Sequence, residues 1–160
     1  MTTTDTPSDA YVPAPAPRLS LPTLAPEFYR AMAAVDRASR QGLEPVLAEL
    51  VKVHASMLNG CAFCIDMHST DAVKNGERDH RLLSLPAWRE TPWFTARERA
   101  ALALTESVTM LVPGHVPDEV YDEAAAQFDE TELAQLIALI ATINAWNRIG
   151  VATRLSPAAK

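Results

Sequence analysis

The 160-residue sequence predicts an all-α domain of five to seven helices. Three observations carry that expectation. Apolar residues recur at helical spacing, alternating β-branched runs bounded by turns are missing, and glycine or proline stands where most of the helical patterns start or stop. The composition, 48% hydrophobic and 21% charged, suits a globular chain able to bury one core.

The elements follow in order. Pro7, Pro13, Pro15, Pro17, Pro22 and Pro26 crowd the N-terminal stretch. Residues 1–21 therefore read as a flexible proline-rich arm, and 22–160 as the helical domain. A first helix spans Pro26–Arg40 and stops near Gly42, suited to a left-handed C-terminal cap. A second starts around Glu44–Pro45, where proline fits the first turn, and runs to about Leu58. Asn59-Gly60 breaks it. A third covers Cys61 to Asn75 and ends at Gly76. A short helix is expected near Asp79–Leu85, before a loop holding Pro86 and Pro92. "TARE", Thr95 to Glu98, is a capping box that opens a helix through about Val112. Pro113-Gly114 ends it. "VPDEVYDEAAAQF" is a further helix with acids in its first turn, where the helix dipole favours them. "DETE", Asp129 to Glu132, has the same capping form and starts a long helix reaching about Thr153. The chain shows no internal repeat.

The formal net charge is −6 and the pI about 5.1. Nucleic acid and anionic membranes call for a basic surface, so neither is expected as the main partner. No uninterrupted apolar run of about 18 residues is present, so no membrane span is expected. The N-terminus has neither a basic start nor an apolar core, so it does not read as a secretory signal. The expected compartment is the cytoplasm. There a CxxC pair is more often metal-binding or redox-active than a structural staple.

"NGCAFCIDMHST", residues 59–70, holds both cysteines of the chain. On a helical wheel with Cys61 at 0°, Cys64 falls near 300° and His68 near 340° (taking about 100° per residue). Both sulfurs and the imidazole thus share one face. The cysteines sit at a helix N-terminus, where free N–H groups and the dipole stabilise a thiolate. The preceding helix carries an apolar stripe of Val46, Leu50, Val53 and Met57. Glu49 lies at its edge, where partial desolvation is expected to raise its pKa. If the Asn59-Gly60 break folds one helix back on the other, Glu49 approaches His68. A carboxylate, an imidazole and a thiol then stand in series.

The residues alone leave alternatives open. Cys61, Cys64 and His68, with Glu49, could complete a tetrahedral zinc site in a non-catalytic protein. His54 lies about 140° round the helix from Glu49 and reads as structural, and Asp66 lies about 140° from Cys61 and reads as facing away from it. Asn147, amid the Leu136, Ile140 and Ile143 stripe of the last helix, must be hydrogen-bonded if buried. It is expected to brace the active-site helices or a subunit contact.

Glu49–x11–Cys61–x2–Cys64–x3–His68, within "ELVKVHASMLNGCAFCIDMHSTDA", resembles the active-site signature of the alkylhydroperoxidase AhpD-like family of the carboxymuconolactone decarboxylase superfamily. "FTARERAALALTESVT", "HVPDEVYDEA" and "INAWNRIGVATR" also resemble that family's helices. The resemblance implies an AhpD-like helical fold and a thiol peroxidase or disulfide reductase acting on alkyl hydroperoxides in an antioxidant role. Cys64 would be the peroxidatic cysteine and Cys61 the resolving one, with Glu49 and His68 as the proton relay. It implies no bound cofactor or metal. The reductant would be an external dithiol, such as a lipoyl group on a partner protein, and the assembly a homotrimer or hexamer. A cofactor-free decarboxylase of the γ-carboxymuconolactone kind is the enzymatic alternative, and that branch generally lacks the CxxC pair. The chain departs from the best-known members at Phe63, where they carry histidine. It also has His54 and Met57 where arginine and glutamine are frequent.

Overall fold

The computed structural model describes residues 12–111 and 114–158, and its fold is all-helical. Eight α-helices occur in the described part, in the order α1 Leu21–Leu24, α2 Pro26–Ser39, α3 Pro45–Asn59, α4 Ala62–Lys74, α5 Asp79–Ser84, α6 Ala96–Met110, α7 Asp118–Ala125 and α8 Glu130–Thr153. That is one more than the expected upper bound of seven. The extra element is α1, a single turn inside the boundary drawn between arm and domain. A 3₁₀ segment, Leu85–Glu90, also replaces the start of the expected loop around Pro86. Its proline sits in the first turn, where a missing N–H costs nothing.

The capping signals act as read. Thr95 accepts from the backbone N–H of Glu98, and the Glu98 side chain accepts from the Thr95 N–H. Asp129 and Glu132 close the same reciprocal box at the start of α8. Each box satisfies donors that a helix N-terminus otherwise leaves orphaned. Gly60 ends α3 in the left-handed region at φ 66°, a conformation that strains any residue with a Cβ. That single reversal lays α4 back along α3.

α3 is the centre of the domain, packed against α4, α6 and α8. Its side chains divide the core. Leu47 and Val51 join Leu104, Leu136, Leu139 and Ile140 on one side. Leu50 and Val53 join Leu82, Leu85, Trp88 and Leu102 on the other. Each such fully buried aliphatic side chain contributes about 1.5–3 kcal/mol. The expected single apolar stripe on α3 therefore needs correction. Every residue from Leu47 to Ser56 is buried, because helices cover α3 on several sides. α8 is the one helix among the described residues long and apolar enough to cross a membrane by length and composition. Here it packs against α2, α3, α6 and α7.

Residues 1–11 of the expected arm, and Val112-Pro113 at the expected end of α6, lie outside the described residues. Residues 12–20 form no helix. The arm's end is tied to α8: the Arg18 backbone N–H donates to the Thr153 carbonyl at 2.9 Å, and its guanidinium to the Ala152 carbonyl at 3.0 Å. These carbonyls belong to the last turn of α8, which has no further turn to accept from.

Candidate active site

The site is built where α3, α4 and α8 meet. Cys61 is the N-cap of α4 and Cys64 lies in its first turn. Both are free thiols and both are buried. His68, one turn on, is buried on the same face. The helix periodicity thus placed these three side chains correctly.

Glu49 comes from α3. Its Oε2 accepts a 2.8 Å hydrogen bond from His68 Nδ1 across the helix pair. Its Oε1 accepts from Lys52 Nζ, also at 2.8 Å. Burial alone would raise the Glu49 carboxyl, but the hydrogen bonds from His68 and Lys52 outweigh it, together with their charges. The carboxyl is held below its ordinary value. The expectation of a raised pKa is therefore corrected: it counted the desolvation and not the donors that replace water. An ionised Glu49 can only accept, so Nδ1 of His68 carries a hydrogen, and in the neutral imidazole Nε2 is the acceptor.

Lys52 was not singled out from the sequence, yet it is only 1% exposed. Its spacing of three from Glu49 on one helix was the available signal. What concealed it is that lysine three residues from glutamate is usually a solvated surface pair.

The two thiols are linked to each other. Cys64 gives its hydrogen to Cys61, which lowers the Cys61 thiol to about 7 against the opposing effect of burial. The Cys64 backbone N–H and the Asn147 amide favour the Cys61 thiolate further. Cys64 is pushed upwards, first because it is the partner that keeps the proton and then by burial. Access divides the pair the other way. A cavity of about 960 Å³ is lined by Cys64, His68, Glu49 and Lys52, whereas Cys61 does not line it. Cys61 is thus the more readily ionised of the two thiols, and the sulfur that reaches the cavity is Cys64.

The remaining cavity wall is largely apolar. Tyr29, Phe63, Met67, Trp146 and Ile149 contribute to it. Tyr29 and Trp146 meet edge to face, with ring centroids 5.4 Å apart. Pro17, Leu19 and Leu21 also line it, so the N-terminal segment assigned to the arm forms one wall. Phe63, the departure from the best-known AhpD proteins, puts an apolar ring beside Cys64.

Asn147 is fully buried and hydrogen-bonded, as expected. Its Oδ1 accepts from Asn59 at 2.9 Å, and its amide donates to Ser56 Oγ at 2.9 Å. Asn59 donates to Asn144 Oδ1 as well, and Asn144 donates to Thr109 Oγ1. This amide ladder fastens α8 to α3 and α6 behind the thiols. His54 stands apart from the cavity. It donates through Nε2 to Glu106 Oε1 at 3.0 Å, within a cluster that includes Trp88 and Arg89. The four residues of the zinc alternative are not assembled as ligands. Among the described residues no group of three or more His, Cys, Asp or Glu side chains is arranged to hold a metal.

The sequence model of the carboxymuconolactone decarboxylase family matches residues 26–107, the stretch that contains α2 to α6 up to Ser107 and all four signature residues. The chain belongs to the carboxymuconolactone decarboxylase family. Among this family member's relatives is the uncharacterized protein YdfG of Bacillus subtilis, 40% identical over 136 residues, which are 84% of this chain and 92% of YdfG. A crystal structure of a protein of unknown function from Agrobacterium tumefaciens, ATU0492, named as a candidate antioxidant defence protein AhpD, superposes with a TM-score of 0.88. It is 32% identical, and the match covers 91% of this chain and all of that one. The AhpD-like helical fold is thereby shown. The debrominase Bmp8 shares the fold at 23% identity and a TM-score of 0.68, covering 86% of this chain and 73% of Bmp8. One fold hosting differently named activities means that the reaction must be argued from the site.

Proposed function

We propose that this family member is a thiol peroxidase of the AhpD type, reducing organic hydroperoxides at Cys64. One observation carries the reading: Cys64 and the Glu49–His68 pair open on the same apolar-walled cavity. A cavity of about 960 Å³ has room for a substrate far larger than hydrogen peroxide.

The chemistry follows from the positions. His68, oriented by Glu49, accepts the Cys64 proton as the thiolate attacks the distal peroxide oxygen. The S–O bond forms, the O–O bond breaks, and the alkoxide takes up the proton to leave as an alcohol. Cys64 becomes a sulfenic acid. The Cys61 thiolate then attacks the Cys64 sulfur, hydroxide leaves and takes a proton from solvent to become water, and the pair becomes a disulfide. An external dithiol, such as a lipoyl group on a partner protein, reduces that disulfide and is itself oxidised. The name of the Agrobacterium relative supports an antioxidant role. Assembly as a trimer or hexamer belongs to the same proposal. Apolar side chains exposed on α2, Phe28 and Val35, offer surface for it, and a sedimentation mass of one chain would remove it.

The test is dithiol-dependent turnover of cumene hydroperoxide by wild type, Cys64→Ser and His68→Ala. Loss of turnover in Cys64→Ser is expected, with a loss of about 10²–10⁴-fold in His68→Ala. Equal rates in all three would sink the reading.

A further inference from the structure

We propose that Lys52 is a catalytic residue, whose ammonium hydrogen-bonds the leaving oxygen of the hydroperoxide as the O–O bond breaks. This rests on the peroxidase reading above.

Lys52 is placed for that role by burial, bonding and access. It is one of the largest fully buried side chains in the described chain. An ammonium has three N–H donors. One goes to Glu49 Oε1, and no other hydrogen bond or ion pair of Nζ is formed among the described residues. The same side chain lines the cavity beside Cys64 and His68. Two donors therefore remain for whatever Cys64 attacks.

Charge gives the second argument. The site already holds the Glu49 carboxylate, and removal of the Cys64 proton by His68 puts a second negative charge on the attacking sulfur. As the O–O bond breaks, the sulfur's negative charge passes to the departing oxygen, in a setting shielded from water. Two buried negative charges close together are costly without a compensating cation. Lys52 is the buried cation of the cavity wall. Its charge is already held in place by Glu49, so it need not reorganise during the step.

The step balances as follows. Cys64–SH and ROOH give Cys64–SOH and ROH. Sulfur is oxidised and the peroxide reduced. The thiol proton, taken up by His68, ends on the alkoxide. Lys52 keeps its own protons and stabilises the oxygen until that transfer is complete.

Leaving-group dependence separates this role from a structural one. In tert-butyl hydroperoxide the leaving group is a strongly basic alkoxide that needs a donor. In peracetic acid it is acetate, which is stable without one. Single-turnover oxidation of the reduced enzyme would be followed with both oxidants, using wild type, Lys52→Met, Lys52→Arg and Lys52→Gln. The ratio of the two rates within one variant cancels the thiolate fraction and the folded fraction. Lys52→Met is expected to slow the hydroperoxide by about 10²–10³-fold and the peracid by less than about tenfold. Lys52→Arg should restore part of the hydroperoxide rate. Lys52→Gln repeats the measurement with a polar side chain that satisfies Glu49 if the methionine variant fails to fold.

An unchanged ratio in the variants, with wild type reacting normally, overturns the role of Lys52 and leaves the peroxidase reading standing. A wild-type enzyme that loses no thiols to the hydroperoxide overturns both.

Discussion

A Cβ placed on Gly150 of α8 would lie 2.9 Å from the Sγ of Cys61. It would also lie 3.7 Å from the Sγ of Cys64. Gly150 is thus the floor beneath the thiol pair, and its missing side chain is what lets α8 approach them. Gly150→Ala is expected to push the Cys61 sulfur aside. The gain in helix propensity of about 1 kcal/mol offsets part of an overpacking cost of about 1–3 kcal/mol. Stability should therefore fall by no more than about 2 kcal/mol, while disulfide formation after one equivalent of peroxide slows. Stopped-flow thiol counting would show it, and unchanged closure of the disulfide would contradict the contact.

Asn147 braces α3 and sends its amide towards the thiols. Asn147→Ala removes the hydrogen bonds to Asn59 and Ser56 and leaves a small buried void. A loss of about 1–3 kcal/mol is expected in urea unfolding. The same change removes a donor that lowers Cys61, so the first thiol should titrate at higher pH than in wild type. A variant that loses stability with no shift in the thiol would confine Asn147 to a structural role.

The thiol pair should ionise in two well-separated steps. Thiolate absorbance near 240 nm is expected to rise by one thiolate with a midpoint at about 7, the value to which Cys61 is lowered. The second should stay protonated well beyond the ordinary thiol value of 9.0, since Cys64 is pushed up. Two thiolates appearing together near pH 9 would refute the shared proton.

Glu106 gathers hydrogen bonds from His54, Trp88 and Arg89, and its carboxyl is lowered to about 2 although burial opposes this. A carboxyl depressed by folding contributes stability that is present above its ordinary value of 4.5 and is lost as pH falls towards 2. Glu49 acts in the same direction. Glu106→Gln is expected to cost on the order of 2–3 kcal/mol at pH 6 and progressively less as pH falls below about 4. Denaturant midpoints of both proteins across that range would show the two curves converging. Parallel curves would refute it.

Much of this protein was legible without a structure because its signals are local. The capping boxes at Thr95 and Asp129 and the stop at Gly60 act within one or two turns. The common face of Cys61, Cys64 and His68 follows from helical periodicity alone. Boundaries slipped by a residue or two where helix ends fray, as at α4 and α6.

Other features depend on residues far apart in the chain. That Glu49 meets His68 was inferred from the break at Asn59-Gly60, but its pKa was read with the wrong sign. The donors that lower it, His68 and Lys52, are counted only once the helices are packed. α3 looked half-exposed because a helical wheel cannot show how many neighbours a helix will have. The Gly150 contact joins α8 to α4 across some ninety residues of sequence, and the N-terminal wall joins residues 17–22 to the far end of the chain. The sequence by itself determined the helices and the face of α4 that carries Cys64 and His68, since backbone geometry and capping are settled within a few residues. Tertiary structure decided the charge and access of that face, because desolvation and hydrogen bonding are set by whichever side chains arrive from elsewhere to replace water.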